Sequence, residues 1–141
     1  MNRHDAASSD TYKEGRQKML IPLILVSVTL AAVAQLTLKH GMNQVRDSYG
    51  VASLNAGSLK AIASTPAVWL GLVLFGVSAI VWLLVLSRAS LSFAYPFAAI
   101  TYILIVVFDR FILDETVPPL RWAGVALIAA GIVLVAQTPH D

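Results

Sequence analysis

Four apolar stretches, Met19 to Leu38, Ala67 to Leu86, Ser92 to Ile112 and Trp122 to Ala136, take up most of this 141-residue chain and set its solvent. A hydrocarbon core about 30 Å thick takes roughly 20 helical residues to cross, at about 1.5 Å each. The first three stretches reach or approach that length, and the fourth is shorter. Ala67 to Leu86 carries no charged residue. Its large side chains surround the helix instead of forming one stripe, as in a span that meets lipid and neighbouring helices. With only 13% charged residues, core helices of a soluble domain would lack the polar surface to stay in solution. The expected fold is all-α: a polytopic membrane protein with four transmembrane helices in an up-down bundle.

Residues 1–18 are polar and mixed in charge, and are expected to form a flexible tail. Residues 19–138 then form the transmembrane domain, with spans near 19–38, 67–86, 92–112 and 120–136, and 139–141 close the chain. Arg16, Lys18 and the Ala32-Val33-Ala34 triplet resemble a cleavable signal segment. Cleavage there would leave a product beginning inside an apolar run, so the first span is expected to stay. Lys39 to Thr65 is a long connection. Within it Leu59-Lys60-Ala61-Ile62 is either a short interfacial helix, with Leu59 and Ile62 toward lipid, or a plain loop. Ser87 to Leu91 is short enough to make its flanking helices antiparallel neighbours. Pro118 and Pro119 suit the first turn of the last helix, with Thr116 as a cap.

Lysine and arginine near span ends orient a membrane protein. Here Arg3, Lys13, Arg16, Lys18 and Arg88 on one side balance Lys39, Arg46, Lys60, Arg110 and Arg121 on the other. The balance fits either insertion in both orientations with antiparallel pairing, or an orientation fixed by a partner. No cysteine and three scattered histidines give no basis for disulfides, a metal site or a redox cofactor. No nucleophile and base stand at workable spacing, so an enzyme is not expected. A nucleic-acid partner is not expected either.

Polar residues inside spans turn toward partners or cavities. Ser27, Ala31, Gln35 and Lys39 recur every four residues and form one stripe ending in a positive charge. Lys39 either extends to the headgroups or holds an anionic lipid phosphate. Tyr95, Tyr102 and Asp109 recur every seven residues, with Pro96 beside the first. They form a packing and anchoring line or a ligand wall, and Asp109 is a solvated carboxylate or a proton relay. Trp82 lies deep enough to line a cavity or meet lipid. Gly124 and Gly131 permit close helix approach, within the chain or between two chains.

Three strings resemble the four-helix members of the drug/metabolite transporter superfamily, the EamA-like and small multidrug resistance-like proteins. They are AQLTLKHGM (Ala34 to Met42), VWLGLVLFGVSAIVWLLVLSRASLSFAYPF (Val68 to Phe97) and DETVPPLRWAGVALIAAGIVLVA (Asp114 to Ala136). Within that superfamily they are most similar to the small subunits of the flippase for 4-amino-4-deoxy-L-arabinose linked to phosphoundecaprenol. The small multidrug exporters carry a glutamate eight residues before the lysine of their first helix, and the corresponding residue here is Ala31. Proton-coupled cation export therefore lacks its acid.

The resemblance implies a bacterial inner-membrane subunit, dimeric with itself in antiparallel fashion or with a paralogous small subunit. Its substrate would be a polyprenyl-phosphate-linked sugar of the kind used in lipopolysaccharide modification. It also implies roles for Gln35, Lys39, Tyr95, Pro96 and Glu115, although Glu115 equally fits a helix start or an ion pair with Arg121. In that scheme Lys39, with Arg110 or Arg121, neutralises phosphate, while Gln35, Tyr95 and Tyr102 hydrogen-bond the sugar. The rivals are a small-molecule exporter of cations, polyamines or metabolites, and a non-transporting scaffold for a glycosyltransferase.

Overall fold

Residues 3–49 and 55–138 are described by a computed structural model, with side chains from Lys18 onward in the first segment; 139–141 lie outside it. Five helices follow in order: α1 (Arg3–Tyr49), α2 (Ala56–Ser64), α3 (Pro66–Leu86), α4 (Leu91–Phe111) and α5 (Pro119–Ala136). All but α2 are long and apolar enough to cross a membrane. No strand occurs among the described residues, so the all-α expectation holds.

Helix α1 overruns its expected span at both ends. The stretch expected as a flexible tail is helical from Arg3. It contains no proline, and a helix already nucleated by an apolar span lengthens without a second nucleation cost. Beyond Leu38 the helix continues to Tyr49, so much of the expected long connection is helix. This extension is docked on its neighbours. Val45 is buried, and Gly41 lies so close to α3 that a Cβ there would stand 3.1 Å from the Val68 backbone nitrogen.

Of the two readings of residues 55–64, the structure has the helix. Asn55 caps α2 by accepting from the Ser58 amide at 2.9 Å, and the Ser58 hydroxyl accepts from the Asn55 amide at 3.3 Å. This reciprocal box fixes where the helix begins. Leu59 is exposed as expected, whereas Ile62 is half-buried. Trp69 Nε1 donates to the Ala63 carbonyl at 2.7 Å, tying α2 to the first turn of α3.

Helices α3 and α4 touch each other and are joined by a link of four residues, 87–90, the short connection expected of antiparallel neighbours. Helix α1 packs along α3 and α4. The core lies where Ile24 and Val28 of α1 meet Val85 of α3 and Phe93, Ala94 and Phe97 of α4. Outside this core the bundle exposes large apolar side chains, among them Leu70, Val73, Leu83 and Leu127. Such a surface suits lipid.

Among the described helices, α5 approaches only α4, although Ile132 reaches the core. Its start differs from expectation. Pro118 occupies the N-cap with an extended ψ of 146° and Pro119 the first turn, and no side chain caps the helix. Thr116 is therefore not a cap, because Pro118 already holds that position.

Helices α1 and α3 approach closely at Gly71, where a Cβ would fall 2.6 Å from Leu38 Cγ and 3.0 Å from the Leu38 backbone nitrogen. Gly76, in the same helix, faces open space. Gly71→Ala is expected to lower stability by about 1–3 kcal/mol through overpacking, with Gly76→Ala neutral or slightly stabilising. Unfolding of both variants in mixed detergent micelles measures this. Equal stability would contradict the close α1–α3 approach.

Candidate functional site

The four-residue stripe on α1 divides into parts. Each step of four advances a helix by about 40° beyond a full turn, so the stripe winds from one neighbour toward another. Ser27 is buried, and its hydroxyl donates to the Ser78 carbonyl of α3 at 3.0 Å. Ala31 lines a cavity. Gln35 is exposed and forms no hydrogen bond among the described residues. Lys39 reaches the end of α4, where its Nζ lies 3.0 Å from Asp109 Oδ1 and 2.9 Å from Glu115 Oε2.

This ion cluster follows from the local chain path. A lysine or aspartate beside hydrocarbon is costly unless paired, and Asp109 is the most enclosed member, with its side chain 15% exposed against 34% for Lys39 and 47% for Glu115. After α4 the chain turns back through Asp114, which adopts φ 54°. Aspartate is among the few residue types besides glycine that accept this left-handed conformation. The turn lets the Glu115 amide donate to the Asp109 carbonyl at 3.0 Å, so Glu115 sits beside the same lysine as Asp109. Glu115 thus pairs with Lys39, neither with Arg121 nor at the start of α5. Arg110 turns to Asp114 at 3.4 Å. Arg121 is exposed and makes no ion pair among the described residues.

A cavity of about 190 Å³ lies between α1, α3 and α4, lined by Ala31, Ser78, Trp82, Ala98 and Thr101 among others. No charged residue lines it. Its hydroxyls are already engaged: Ser78 Oγ donates to the Phe75 carbonyl at 2.8 Å, and Thr101 Oγ1 to the Val28 carbonyl at 3.4 Å. The space is therefore apolar in effect, suited to hydrocarbon and poor for a hydroxyl-rich ring. Trp82 forms one wall and meets Tyr95 edge to face, with ring centroids 6.2 Å apart.

The heptad line on α4 does not act as one unit. Tyr95 joins Trp82, Tyr102 is exposed without a hydrogen bond among the described residues, and Asp109 joins Lys39. Pro96 is half-buried inside α4. A Cβ at Gly124 or Gly131 would meet nothing within 4 Å, so neither glycine serves packing within the chain. A polar cleft of about 460 Å³, lined by Gln44, Asp47, Ser48, Tyr49 and Ser64, lies where α1 projects past α2. Nothing at sequence level pointed to it, because those residues were read as part of a loop.

The cluster's contribution is measurable. Lys39→Met leaves two carboxylates facing each other without an ammonium and is expected to cost about 1–3 kcal/mol. Adding Asp109→Asn should recover part of that loss, and a double-mutant cycle should give a coupling near 1 kcal/mol. Additive losses would mean that the pair contributes nothing.

No family model and no solved structure matches the chain. Several protein sequences do, each named as a probable 4-amino-4-deoxy-L-arabinose-phosphoundecaprenol flippase subunit ArnE. That of Pseudomonas savastanoi pv. phaseolicola is 31% identical over 110 residues, covering 78% of this chain and 90% of the relative. That of Pseudomonas syringae pv. syringae is 31% identical over 91 residues, covering 64% and 84%. The Pseudomonas paraeruginosa protein is 33% identical over 119 residues, covering 84% of this chain and 95% of its own length. The four apolar helices and near full-length similarity agree, and the chain belongs to the family of ArnE flippase subunits.

Proposed function

We propose that this chain is a flippase subunit of the bacterial inner membrane, moving a polyprenyl-phosphate-linked amino sugar of the kind named for its relatives. The physical problem is to pass a charged, hydroxyl-rich headgroup through hydrocarbon while its tail remains in lipid. A lateral groove on an open bundle solves this, whereas a closed pore does not. The apolar cavity beside Trp82 takes part of the isoprenoid chain. Lys39, on α1 beside the end of α4, receives the phosphate as a mobile point charge on a flexible stem. Gln35, Tyr95 and Tyr102 present polar atoms for the sugar, and Arg110 and Arg121 add positive charge on the same side of the membrane.

One observation carries the choice against a cation exporter. Ala31 is in the wall of the membrane cavity, and no acidic side chain lines that cavity. A site without a carboxylate has nothing to exchange a proton for a cation. The carboxylates Asp109 and Glu115 are instead held at the Lys39 end.

Because its relatives are named as subunits, the chain works with a partner, which we take to be a paralogous small subunit or a second copy. The open faces of Gly124 and Gly131 on α5 supply a surface for close helix contact with it.

Proteoliposomes containing the chain with any co-purifying subunit test the reading. They are expected to move a labelled polyprenyl-phosphate amino sugar between leaflets. Lys39→Ala should slow this by about tenfold or more, in line with the loss of a charge-assisted contact. The Lys39→Met/Asp109→Asn double variant should remain slow even where its stability recovers. Proton-driven uptake of a soluble cation without lipid movement would establish an exporter. Undiminished flipping after Lys39→Ala and Gln35→Leu would favour a scaffold.

A further inference from the structure

Helix α2 commits only one of its faces to the protein. Its buried positions are Ser58 and Ala61, and it meets α1 and α3 but no other described helix. At about 100° per residue, the opposite face is made of Ala56, Leu59 and Ala63 with Lys60 at its flank, all exposed. This face runs on into the lipid-facing side of α3. The Trp69 indole, 58% exposed, donates to the Ala63 carbonyl at 2.7 Å, and Trp69 shares one side of α3 with the exposed Leu70 and Val73. Whatever covers those residues also reaches Leu59, and on a membrane-spanning helix that is the bilayer.

The depth of this strip follows from two close approaches. Leu38 stands against Gly71 and Gly41 against Val68, so Trp69 is level with Lys39 and His40, where the apolar run of α1 ends. The headgroup layer outside the hydrocarbon is about 5–7 Å deep on each side. From Trp69 back to Pro66, α3 rises by only about 4.5 Å, and Thr65 alone separates Pro66 from α2. The last turn of α2, bonded to the Trp69 indole, therefore stands in that layer, the depth at which tryptophan is enriched.

We infer that α2 and Trp69 form an interfacial site for an anionic phospholipid of the surrounding bilayer, distinct from any cargo the bundle moves. Leu59 and Trp69 lie against the upper acyl chains, and Lys60 pairs with the phosphate. Two observations favour this occupant over a neutral lipid or a protein. Lys60 is exposed and makes no ion pair among the described residues, whereas Arg46, the basic residue in the last turn of α1, is engaged by Asp47 at 3.7 Å. The apolar strip is also continuous from α2 to α3, so the chains that solvate α3 extend to Leu59. A lysine flanking an apolar helix face lays its stem along that face and its ammonium among the phosphates.

The test uses the full-length chain in nanodiscs of equal parts phosphatidylcholine and phosphatidylglycerol. Native mass spectrometry of the released protein is expected to find phosphatidylglycerol retained over phosphatidylcholine. Lys60→Gln should reduce that preference by about fivefold, while Lys39→Gln, outside this site, keeps most of it. In a second measurement, Trp82→Phe with Trp122→Phe leaves Trp69 as the sole tryptophan. Lipids brominated near the headgroup end of the acyl chain should quench it more strongly than lipids brominated near the chain terminus or aqueous iodide. A preference that survives Lys60→Gln, or one lost in Lys39→Gln instead, overturns the inference. Strong quenching of Trp69 by iodide also overturns it, since water then covers the strip, and so does protection from both quenchers, since a second copy of the chain then covers it. The flippase reading is judged separately, by movement of the lipid-linked sugar.

Discussion

A charged side chain at the edge of hydrocarbon has to find its counter-ion within the protein or in the lipid, and Lys39 finds two within the protein. Its pairs with Asp109 and Glu115 join α1 to α4 and to the loop that leads into α5. The left-handed residue at Asp114 and the Glu115 amide bonded to Asp109 make sense as the means of bringing a second carboxylate to one ammonium. Away from this end, the bundle is held by side-chain packing at Ile24, Val28, Val85, Phe93 and Phe97. The molecule therefore has an apolar interior, with its enclosed ion cluster at one end of the bundle.

That division fits the substrate class named for the relatives, because a lipid-linked sugar phosphate has the same two parts. In the proposed function, hydrocarbon enters the cavity beside Ala31 and Trp82, whose hydroxyls are spent on backbone carbonyls, and the headgroup meets the Lys39 end. Among the described residues, the carboxylate absent around Ala31 is matched by the two held beside Lys39, toward the end of α4 and apart from the cavity.

The helices were legible in the sequence because apolar length is a one-dimensional property. The spans of α3, α4 and α5 came within a residue or two of their observed limits for that reason. The polar ends were not so legible. The continuation of α1 from Lys39 to Tyr49 depends on Val45 and Gly41 packing against α2 and α3, contacts that a local pattern does not reveal. The site was readable in part. Lys39, Asp109 and Glu115 each stood out as charges near span ends, but Asp109 lies 70 residues from Lys39, and helical periodicity relates positions only within one helix. Gln35 shows the same limit in reverse, since a repeat of four placed it with Ser27 and Lys39 although the stripe turns away from the cavity. A rule that lone charges in spans must pair would have directed attention to the acid nearest the end of α4.

The unbroken course of α1 has a mechanical consequence. From its tight contact at Leu38 with Gly71, the helix runs on as a single rod to Tyr49, about 16 Å at 1.5 Å per residue. That stretch is held again at Gly41, where a Cβ would stand 3.1 Å from the Val68 backbone nitrogen, and at the buried Val45. Lys39 lies between the two close contacts, so its backbone is fixed while its four-carbon stem stays free to swing. The cleft lined by Gln44 and Tyr49 therefore stands on the same rigid rod as the lysine.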